Sequence, residues 1–384
     1  MQISEGQAKR HRFLYRLLIR LIRRFIERRF GYTYDRVPND GAPYVVVCNH
    51  NANLDPALLG LAFDHMYFVA SDHIFRNAFL ASLLNFAFAP IARRKATIAA
   101  STVIEMRRRL MAGHNVALFA EGERSYDGNT ALIHPTMGKL VKSFGATLVT
   151  YRLKGGYFTT PRWAFSHRGG KMSGELRGIY TKEALDGYSA DEVHDLIQRD
   201  ISEDAYAEQD QAPVAFVGDK LADGLETALY RCPACTSYGT LSSAEDSVRC
   251  TCGFETRIDR FGYFAPPAPR TFTDWYRSQR DALRSRLSSG QVLPFKDEVT
   301  LLTIDGKRET AMAKGVLRLT GDQLSVGDDH AFLLKDIPLL GMYGRNHLVF
   351  THQSNYYELR GAKYFNARYY LHIYDYYKGH EVRR

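Results

Sequence analysis

The chain has 384 residues, long for a single domain, and its 45% hydrophobic and 24% charged residues are typical of a globular protein with a sizeable core. Its formal net charge is +9, and residues 1–30 carry +7 of it through nine basic and two acidic side chains, which favours an anionic surface, either nucleic acid or acidic lipid. No window of about 18 uncharged apolar residues is present, and arginines interrupt the apolar stretches of the N-terminus, so we expect neither a membrane-spanning helix nor a signal peptide.

Residues 8–30 predict an amphipathic helix. Large apolar side chains recur there at helical spacing on one broad arc: Phe13, Leu14, Leu17, Leu18, Leu21, Ile22, Phe25 and Ile26. Arginines line the other side of the helix, at Arg12, Arg16, Arg20 and Arg23. Such a helix either packs on the core with a solvated basic face or lies in a membrane interface. We expect the second, and hence a peripheral (monotopic) membrane protein.

Residues 44–160 alternate short apolar runs with helical patterns, as α/β proteins do. Three buried strands are predicted, at Tyr44–Cys48, Asn115–Phe119 and Thr147–Tyr151. Asp55 and Pro56 predict the start of a helix, with Asp55 as its N-cap and Pro56 in its first turn. The apolar run Ala78–Ala92 is too short to cross a bilayer, so it fits a core helix or a shallow membrane insertion.

Four of the five cysteines predict a metal site in residues 230–256. They are Cys232, Cys235, Cys250 and Cys252. Four thiolates complete a closed tetrahedral site, so we expect one structural Zn²⁺, with redox-active or unligated thiols as the alternatives. Clustered cysteines suit a reducing cytoplasm better than a disulfide framework does.

The last part of the chain predicts a β-rich domain. A Pro-rich linker, Ala265–Arg270, precedes a helix that contains Trp275 and Tyr276. Residues 298–361 then carry strand patterns and turn signals, and Asn366–Tyr377 predicts a C-terminal helix. Antiparallel strands followed by one C-terminal helix resemble a PH-like or GRAM-like module.

A histidine and an aspartate follow the first predicted strand in the order His50-x4-Asp55. The strand delivers His50 to its carboxyl end, where open α/β sheets bind ligands. A catalytic imidazole needs a partner that fixes its tautomer and stabilises the imidazolium, and Asp55 suits that role. Alternatively, His50 is a turn residue and Asp55 only a helix cap. Cys48, on the same strand face as His50, could form a nucleophilic pair with it, although a cysteine that ends a valine run is typical of a packed core.

Two further motifs carry arginines. Phe119–Ser125 (FAEGERS) follows the second predicted strand, with Gly122 for a tight turn and Arg124 to hold a phosphate bidentately. An apolar run ends in Arg93 and Arg94. Taken separately, Phe119–Ser125 could be a charged loop and the run that ends in Arg93 and Arg94 a solvated helix flank. In chain order, the His50 motif is the first motif, this run is the second and Phe119–Ser125 is the third.

In this order and spacing, the three motifs resemble the glycerophospholipid acyltransferase family, specifically its lysophosphatidic acid acyltransferases, over residues 30–180. Asn49-His50-x4-Asp55 is similar to the family's first block, Ile91-Ala92-Arg93 to its second, and Phe119-Ala120-Glu121-Gly122-Glu123-Arg124-Ser125 to its third. Two departures are visible: Ala120 and Thr150 stand where the third and fourth blocks commonly have proline.

The resemblance implies transfer of a fatty acyl group from an acyl-CoA or acyl-carrier-protein thioester to a lysophospholipid, with 1-acyl-glycerol-3-phosphate giving phosphatidic acid. His50 would be the general base, oriented by Asp55, with no covalent acyl-enzyme. Arg93 and Arg124 would clamp the acceptor phosphate, and Glu121 would orient Arg124 or the acceptor. The full set of expected substrate-binding residues is Arg93, Glu121, Gly122, Arg124 and Ser125.

The predicted architecture is an α/β acyltransferase domain with a small zinc ribbon and a β-rich C-terminal PH-like domain. Its expected parts are a basic membrane-interface helix (1–30), the acyltransferase domain (31–225), the zinc ribbon (228–258), a linking helix (270–290) and the PH-like domain (291–384). We expect an anionic membrane on the cytoplasmic face as the partner, and no nucleic acid. The alternatives are a nucleic-acid-binding zinc-ribbon protein, which leaves the three motifs unexplained, and a catalytically silent lipid-binding adaptor, against which the His50–Asp55 pair argues.

Overall fold

The first half of the chain builds one seven-stranded sheet with helices packed around it. The computed structural model describes residues 3–38, 41–71, 78–93, 100–306 and 308–380. The strands of this half are β1 (Thr33–Tyr34), β2 (Tyr44–Cys48), β3 (Met66–Ser71), β4 (Ile91–Arg93), β5 (Asn115–Phe119), β6 (Thr147–Lys154) and β7 (Ser173–Tyr180). The helices are α1 (Glu5–Phe30), α2 (Asp55–Ala62), α3 (Ala78–Ala87), α4 (Ala100–Met111), α5 (Met137–Phe144), α6 (Gly156–Thr159), α7 (Lys182–Asp186), α8 (Ala190–Ile201) and α9 (Ala205–Gln211).

The strand order is β1-β7-β6-β2-β5-β3-β4, and only the β6–β7 pair is antiparallel. The predicted bounds of β2 and β5 are confirmed, while β6 runs three residues further than predicted, to Lys154. In the parallel β2–β5 pair Cys48 lies opposite Phe119, so both strands end at the same edge of the sheet. The segments that follow, at His50 and at Glu121, therefore meet there.

Helix α1 packs one face against the domain and presents another to solvent. Its buried residues include Tyr15 and Ile26, and a Cβ at Gly60 of α2 would come within 2.5 Å of Ile19 Cδ1, so α1 lies tightly against α2. The predicted apolar arc is split between these two faces. Five of its apolar side chains are exposed, with Leu21 at 68%: Phe13, Leu17, Leu18, Leu21 and Phe25.

Helix α3 lies beside α1 and is apolar on its outer side. Arg10 Nε of α1 donates to Phe86 O at 3.1 Å, and its guanidinium lies 4.1 Å from the centre of the Phe86 ring. Phe79, Leu83 and Phe86 are exposed, which argues against the interpretation of this apolar run as a core helix. Among the described residues, no helix has both the length and the apolarity needed to span a bilayer.

The second half of the chain contains the cysteine module and an antiparallel sheet. The module has three antiparallel strands, β8 (Leu241–Ala244), β9 (Ser247–Cys250) and β10 (Glu255–Arg257), and helix α10 (Phe272–Ser288) follows it. The sheet has seven strands, in the order β14-β13-β12-β11-β17-β16-β15. These are β11 (Glu298–Asp305), β12 (Arg308–Leu319), β13 (Gln323–Val326), β14 (His330–Leu333), β15 (Leu340–Tyr343), β16 (His347–His352) and β17 (Asn355–Gly361). The predicted C-terminal helix is present as α11 (Ala367–Tyr377), capped by Asn366, and the PH-like identity of this part stays a prediction.

One hydrophobic core runs through the second half and into the first. It joins Phe158 and Trp163, which follow β6, to Val248 of the cysteine module, Trp275 of α10 and Tyr374 of α11. Helices α10 and α11 therefore share a hydrophobic core with the segment that follows β6.

Candidate active site

His50 and Asp55 form a hydrogen-bonded pair at the carboxyl edge of the sheet. His50 Nδ1 lies 2.8 Å from Asp55 Oδ2, and the imidazole stacks on Phe119 at the end of β5, with ring centroids 4.1 Å apart. A carboxylate only accepts, so Nδ1 carries the proton of the neutral ring and Nε2 is the basic nitrogen. The His50 side chain is 20% exposed, whereas Asp55 is fully buried. This is the geometry of an oriented general base.

Asp55 does not cap helix α2, contrary to the sequence-based expectation. Its side chain points back into the preceding turn, where Oδ2 accepts from Asn51 N at 2.6 Å and from Ala52 N at 2.9 Å. The N-cap residue is Leu54, which makes no side-chain capping bond, and Pro56 lies in the first turn as predicted. The carboxylate thus uses its hydrogen bonds to shape the turn that presents His50.

Glu121 positions the backbone of His50, and its expected role toward Arg124 or the acceptor stays a prediction. Its Oε1 accepts from His50 N at 2.6 Å, and its Oε2 accepts from Ala131 N at 2.6 Å. Burial raises the pKa of this carboxyl well above its usual value, although the two backbone hydrogen bonds oppose that shift. Glu121 therefore ties the first motif to the third.

A second buried carboxylate, Glu203, lies behind the His50 turn. The side-chain amides of Asn49 and Asn51 both donate to Glu203 Oε2 and to Leu153 O of β6. Gly155 N donates to Glu203 Oε1 at 3.3 Å. Burial raises the pKa of Glu203 to about 8. These contacts fasten the turn to the neighbouring strand.

Arg93 and Gly122 bring the second and third motifs together. Gly122 has φ +70°, and a Cβ on it would come within 2.8 Å of Arg93 Nη1. The positive φ favours glycine at this position, and the absence of a side chain lets the Arg93 guanidinium lie against the turn. Arg93 is exposed at the end of β4, where a ligand can reach it. Arg94 lies outside the described residues.

Arg124 is half-buried beside the His50–Asp55 pair. Its Nη1 donates to Thr160 O at 3.2 Å, and within the described part of the chain no carboxylate forms an ion pair with it. Burial and the positive charge of Arg162 lower its pKa to about 10, while the nearby charge of Asp55 opposes the shift. The role of Arg124 as a phosphate ligand stays a prediction.

Ser125 is buried, and its hydroxyl folds its own loop. Its Oγ donates to Asn129 O at 2.7 Å and accepts from Gly128 N at 3.1 Å, while its backbone N donates to His50 O at 2.7 Å. The structure thus gives Ser125 a positioning role toward His50, whereas the sequence predicted a substrate contact.

Two other residues that the sequence analysis singled out have buried side chains. Cys48 is fully buried, and burial raises the pKa of its thiol well above the usual value, which argues against a Cys48 nucleophile. Thr150 is buried in β6 and donates to Asp200 Oδ2 of α8 at 2.7 Å. The residue in the expected proline position therefore contributes to the core.

The four cysteines of the module converge as the sequence predicted. Their sulfur atoms lie within 4.8 Å of one another, with Cys232–Cys252 at 3.9 Å and Cys235–Cys250 at 3.8 Å. Such a group could hold a metal ion. A tetrahedral ion with bonds of about 2.3 Å to sulfur sets neighbouring sulfur atoms about 3.8 Å apart, which these distances fit.

The sequence analysis did not identify Glu203, nor Arg162 and Arg368, which lie next to Glu123 of the third motif. Arg162 Nη1 donates to Glu123 Oε2 at 2.6 Å, and Arg368 of α11 lies 3.7 Å from Glu123 Oε1. The position of Arg162, shortly after β6 on the same sheet edge, was the one available signal. Nothing in the local sequence of Glu203 or Arg368 indicates contact with residues so distant along the chain.

One family model matches the segment of the chain that contains His50, Asp55 and Arg124. Residues 29–154 match the family model described as Acyltransferase, and this segment contains all three motifs. The crystal structure of the 1-acyl-sn-glycerophosphate (LPA) acyltransferase PlsC from Thermotoga maritima is similar with a TM-score of 0.40 and 19% identity, over 52% of this chain and 81% of that one. A search of curated proteins gave no match. The chain therefore contains an acyltransferase domain at residues 29–154.

Proposed function

We propose that this protein transfers a fatty acyl group from an acyl thioester to the free hydroxyl of a lysophospholipid, with 1-acyl-glycerol-3-phosphate as the acceptor and phosphatidic acid as the product. The observation that carries the proposal is the His50–Asp55 pair, joined at 2.8 Å at the carboxyl edge of the sheet inside the acyltransferase domain. Coenzyme A or acyl carrier protein would carry the acyl group.

The proposed reaction is a direct acyl transfer. Nε2 of His50 takes the proton of the acceptor hydroxyl as its oxygen attacks the thioester carbonyl carbon. The carbon–sulfur bond then breaks, and the leaving thiolate takes the proton from the imidazolium. Asp55 stabilises the imidazolium between these steps, since its carboxylate faces Nδ1. No covalent acyl-enzyme is needed, because the thioester already activates the acyl group.

Arg93 and Arg124 are the proposed ligands of the acceptor phosphate. Both belong to the edge that carries His50: Arg93 lies against Gly122, and Arg124 lies close enough to Asp55 to be influenced by its charge. A guanidinium binds a phosphate through two parallel hydrogen bonds, which also fixes the orientation of the bound group. The hydroxyl of the acceptor would then be held at the base.

The outer faces of α1 and α3 support membrane binding as part of the proposal. Exposed Phe13, Leu17, Leu21 and Phe25 on α1 and exposed Phe79 and Leu83 on α3 offer apolar surface on two adjacent helices. Arginines of α1 accompany this surface, as in helices that lie in an anionic interface. A peripheral position on the cytoplasmic face would give the site access to lipid acceptors.

The cysteine module is proposed to hold one structural Zn²⁺ through Cys232, Cys235, Cys250 and Cys252. Four protein thiolates leave no open position, so the ion would stabilise the module and take no part in acyl transfer. Cys232 and Cys250 belong to the hydrophobic core shared with α10, so the ion would also stabilise that packing.

The test is acyl transfer by the purified protein from one radiolabelled acyl thioester to a panel of lysophospholipids. We expect transfer to 1-acyl-glycerol-3-phosphate above the other head groups, and none with His50→Ala. Wild-type protein without transfer to any lysophospholipid would refute the proposal. A nucleic-acid-binding function or a silent adaptor would leave the His50–Asp55 pair without a role.

A further inference from the structure

The guanidinium groups of Arg124, Arg162 and Arg345, which are far apart in the sequence, converge next to the third motif. Arg162 Nη1 lies 3.5 Å from Arg124 O and donates to Glu123 Oε2 at 2.6 Å. Arg345 comes from the turn between β15 and β16 in the C-terminal sheet, and its Nη2 donates to Ala164 O, two residues after Arg162. The C-terminal sheet thus places a cation at the loop of residues 160–164.

The charges in this cluster are not balanced. Glu123 forms the ion pair of Arg162, and its other oxygen lies 3.7 Å from Arg368. That leaves Arg124 and Arg345 without a carboxylate ion-pair partner among the described residues. Arg124 Nη1 donates to Thr160 O at 3.2 Å and Arg345 Nη2 donates to Ala164 O, so one short loop receives hydrogen bonds from both guanidinium groups. In agreement with this placement, the charge of Arg345 helps to lower the pKa of Arg124. Like charges in partly buried positions are costly unless an anion joins them.

Arg345 also has unused hydrogen-bonding capacity. Its Nε is buried, and no acceptor lies against it in the described ranges of the chain. Its guanidinium lies over the Phe165 ring at 4.8 Å, which holds the fork in a fixed plane. Burial lowers the pKa of Arg345, and the nearby charge of Asp223 only partly opposes that shift. A fixed, incompletely paired guanidinium is what an anionic ligand needs.

We infer that Arg345 binds the anionic head group of the acceptor together with Arg124, so that the C-terminal β-rich domain completes the acceptor site. The inference rests on the proposed function for the identity of the ligand. Removal of Arg345 would weaken binding of phosphate-bearing acceptors and leave neutral acceptors and the acyl donor unaffected. A residue that only supports the fold would affect all three alike.

The experiment compares Arg345→Ala and Arg345→Lys with a matched control, Arg318→Ala. Arg318 lies in the same sheet and is exposed, and among the described residues its polar partners are Gly327 O and Asp328 Oδ1. Calorimetry measures the binding of a short-chain, water-soluble 1-acyl-glycerol-3-phosphate and of the matching neutral monoacylglycerol. Steady-state kinetics with the same two acceptors gives the apparent KM of each acceptor and of the thioester.

We expect Arg345→Ala to weaken binding of the phosphate-bearing acceptor about 10- to 100-fold, the range for a lost charge-assisted pair of hydrogen bonds. Arg345→Lys should recover part of this affinity, and Arg318→Ala should match wild type. Equal affinity of Arg345→Ala and wild type, or an equal loss for both acceptors, would overturn the inference. A variant that loses affinity for the phosphate while wild type transfers no acyl group would instead overturn the proposed function and leave the anion site standing.

Discussion

The His50–Asp55 pair predicts that the two residues act as one unit in catalysis. We expect His50→Ala to lower the rate of acyl transfer about 10²- to 10⁴-fold, the usual contribution of a general base, or roughly 3–5 kcal/mol. Asp55→Asn keeps the shape of the side chain but removes the charge that stabilises the imidazolium, so its effect should fall in the same range. The double variant should be no slower than His50→Ala alone, because the aspartate acts only through the histidine.

Asp55→Asn should also lower the free energy of unfolding, because Asp55 shapes the turn that holds His50. Asp55 Oδ2 accepts three hydrogen bonds, at 2.8, 2.6 and 2.9 Å from His50, Asn51 and Ala52. Replacing charge-assisted bonds to the two backbone amides with neutral ones costs about 1–3 kcal/mol in total. The new amide nitrogen would occupy the position of Oδ1, which is buried with no hydrogen-bond partner among the described residues. Asp55→Asn should therefore unfold at a lower temperature than His50→Ala.

The assay is thiol release from the thioester with radiolabelled product as a check, alongside thermal unfolding of each variant. Asp191→Asn is the matched control, because Asp191 is an exposed aspartate in the first turn of α8. It should leave both rate and stability unchanged. Activity of His50→Ala within a few-fold of wild type, or rate losses that add in the double variant, would refute the reasoning.

Further predictions concern Arg124, the cysteine module, Glu203 and helix α1. Arg124→Ala should raise the apparent KM for the phosphate-bearing acceptor about 10- to 100-fold while leaving that of the thioester unchanged; the opposite pattern would reverse the assignment. Metal analysis of protein purified without added zinc should find one zinc per chain, and less than about a tenth would contradict the four-cysteine site. Glu203 has a raised pKa of about 8, so its contribution to stability is fully present below its unfolded pKa near 4.5 and is lost as pH rises through about 8. The unfolding temperature of wild type, measured relative to that of Glu203→Gln, should therefore fall as the pH rises from about 4.5 to about 8. A difference between the two proteins that does not change with pH would contradict the raised pKa of Glu203. Replacing Phe13, Leu17, Leu21 and Phe25 with serine should release the protein from anionic vesicles in a co-sedimentation assay. Replacing Arg12, Arg16, Arg20 and Arg23 with glutamine should flatten the salt dependence of vesicle binding, because each arginine contributes about 1 kcal/mol near an anionic surface. If both variants bind vesicles as wild type does, α1 is only a core element.

The sequence predicted the parts of the site that depend on local pattern. β2 and β5 were delimited correctly because strands buried on both faces read as continuous apolar runs. Two parallel neighbouring strands end at one sheet edge, so the positions of His50 and of the third motif followed from those two runs. The convergence of the four cysteines also followed, since their spacing already implies a compact module.

The remaining features depend on tertiary contacts that no local pattern encodes. Asp55 satisfies the rule for a helix cap, yet its carboxylate turns toward Asn51 N and His50 because the turn offers it more hydrogen bonds. Glu203 acts on Asn49 from more than a hundred residues away. The apolar arc of α1 was visible in the sequence, but which part of it packs depends on the position of α2.

The C-terminal half contacts the two residues that directly follow the third motif, so it supports the candidate active site. Thr273 of α10 donates to Asp127 O at 2.6 Å, and the Tyr126 ring lies 5.4 Å from that of Tyr276 and 4.3 Å from the guanidinium of Arg368. Asp127 and Tyr126 directly follow the motif, so a shift of α10 or α11 would move Arg124 relative to His50. Small displacements of positioned groups are expensive in catalysis. If the proposed function holds, the two helices couple the cysteine module and the β-rich sheet to the geometry of acyl transfer.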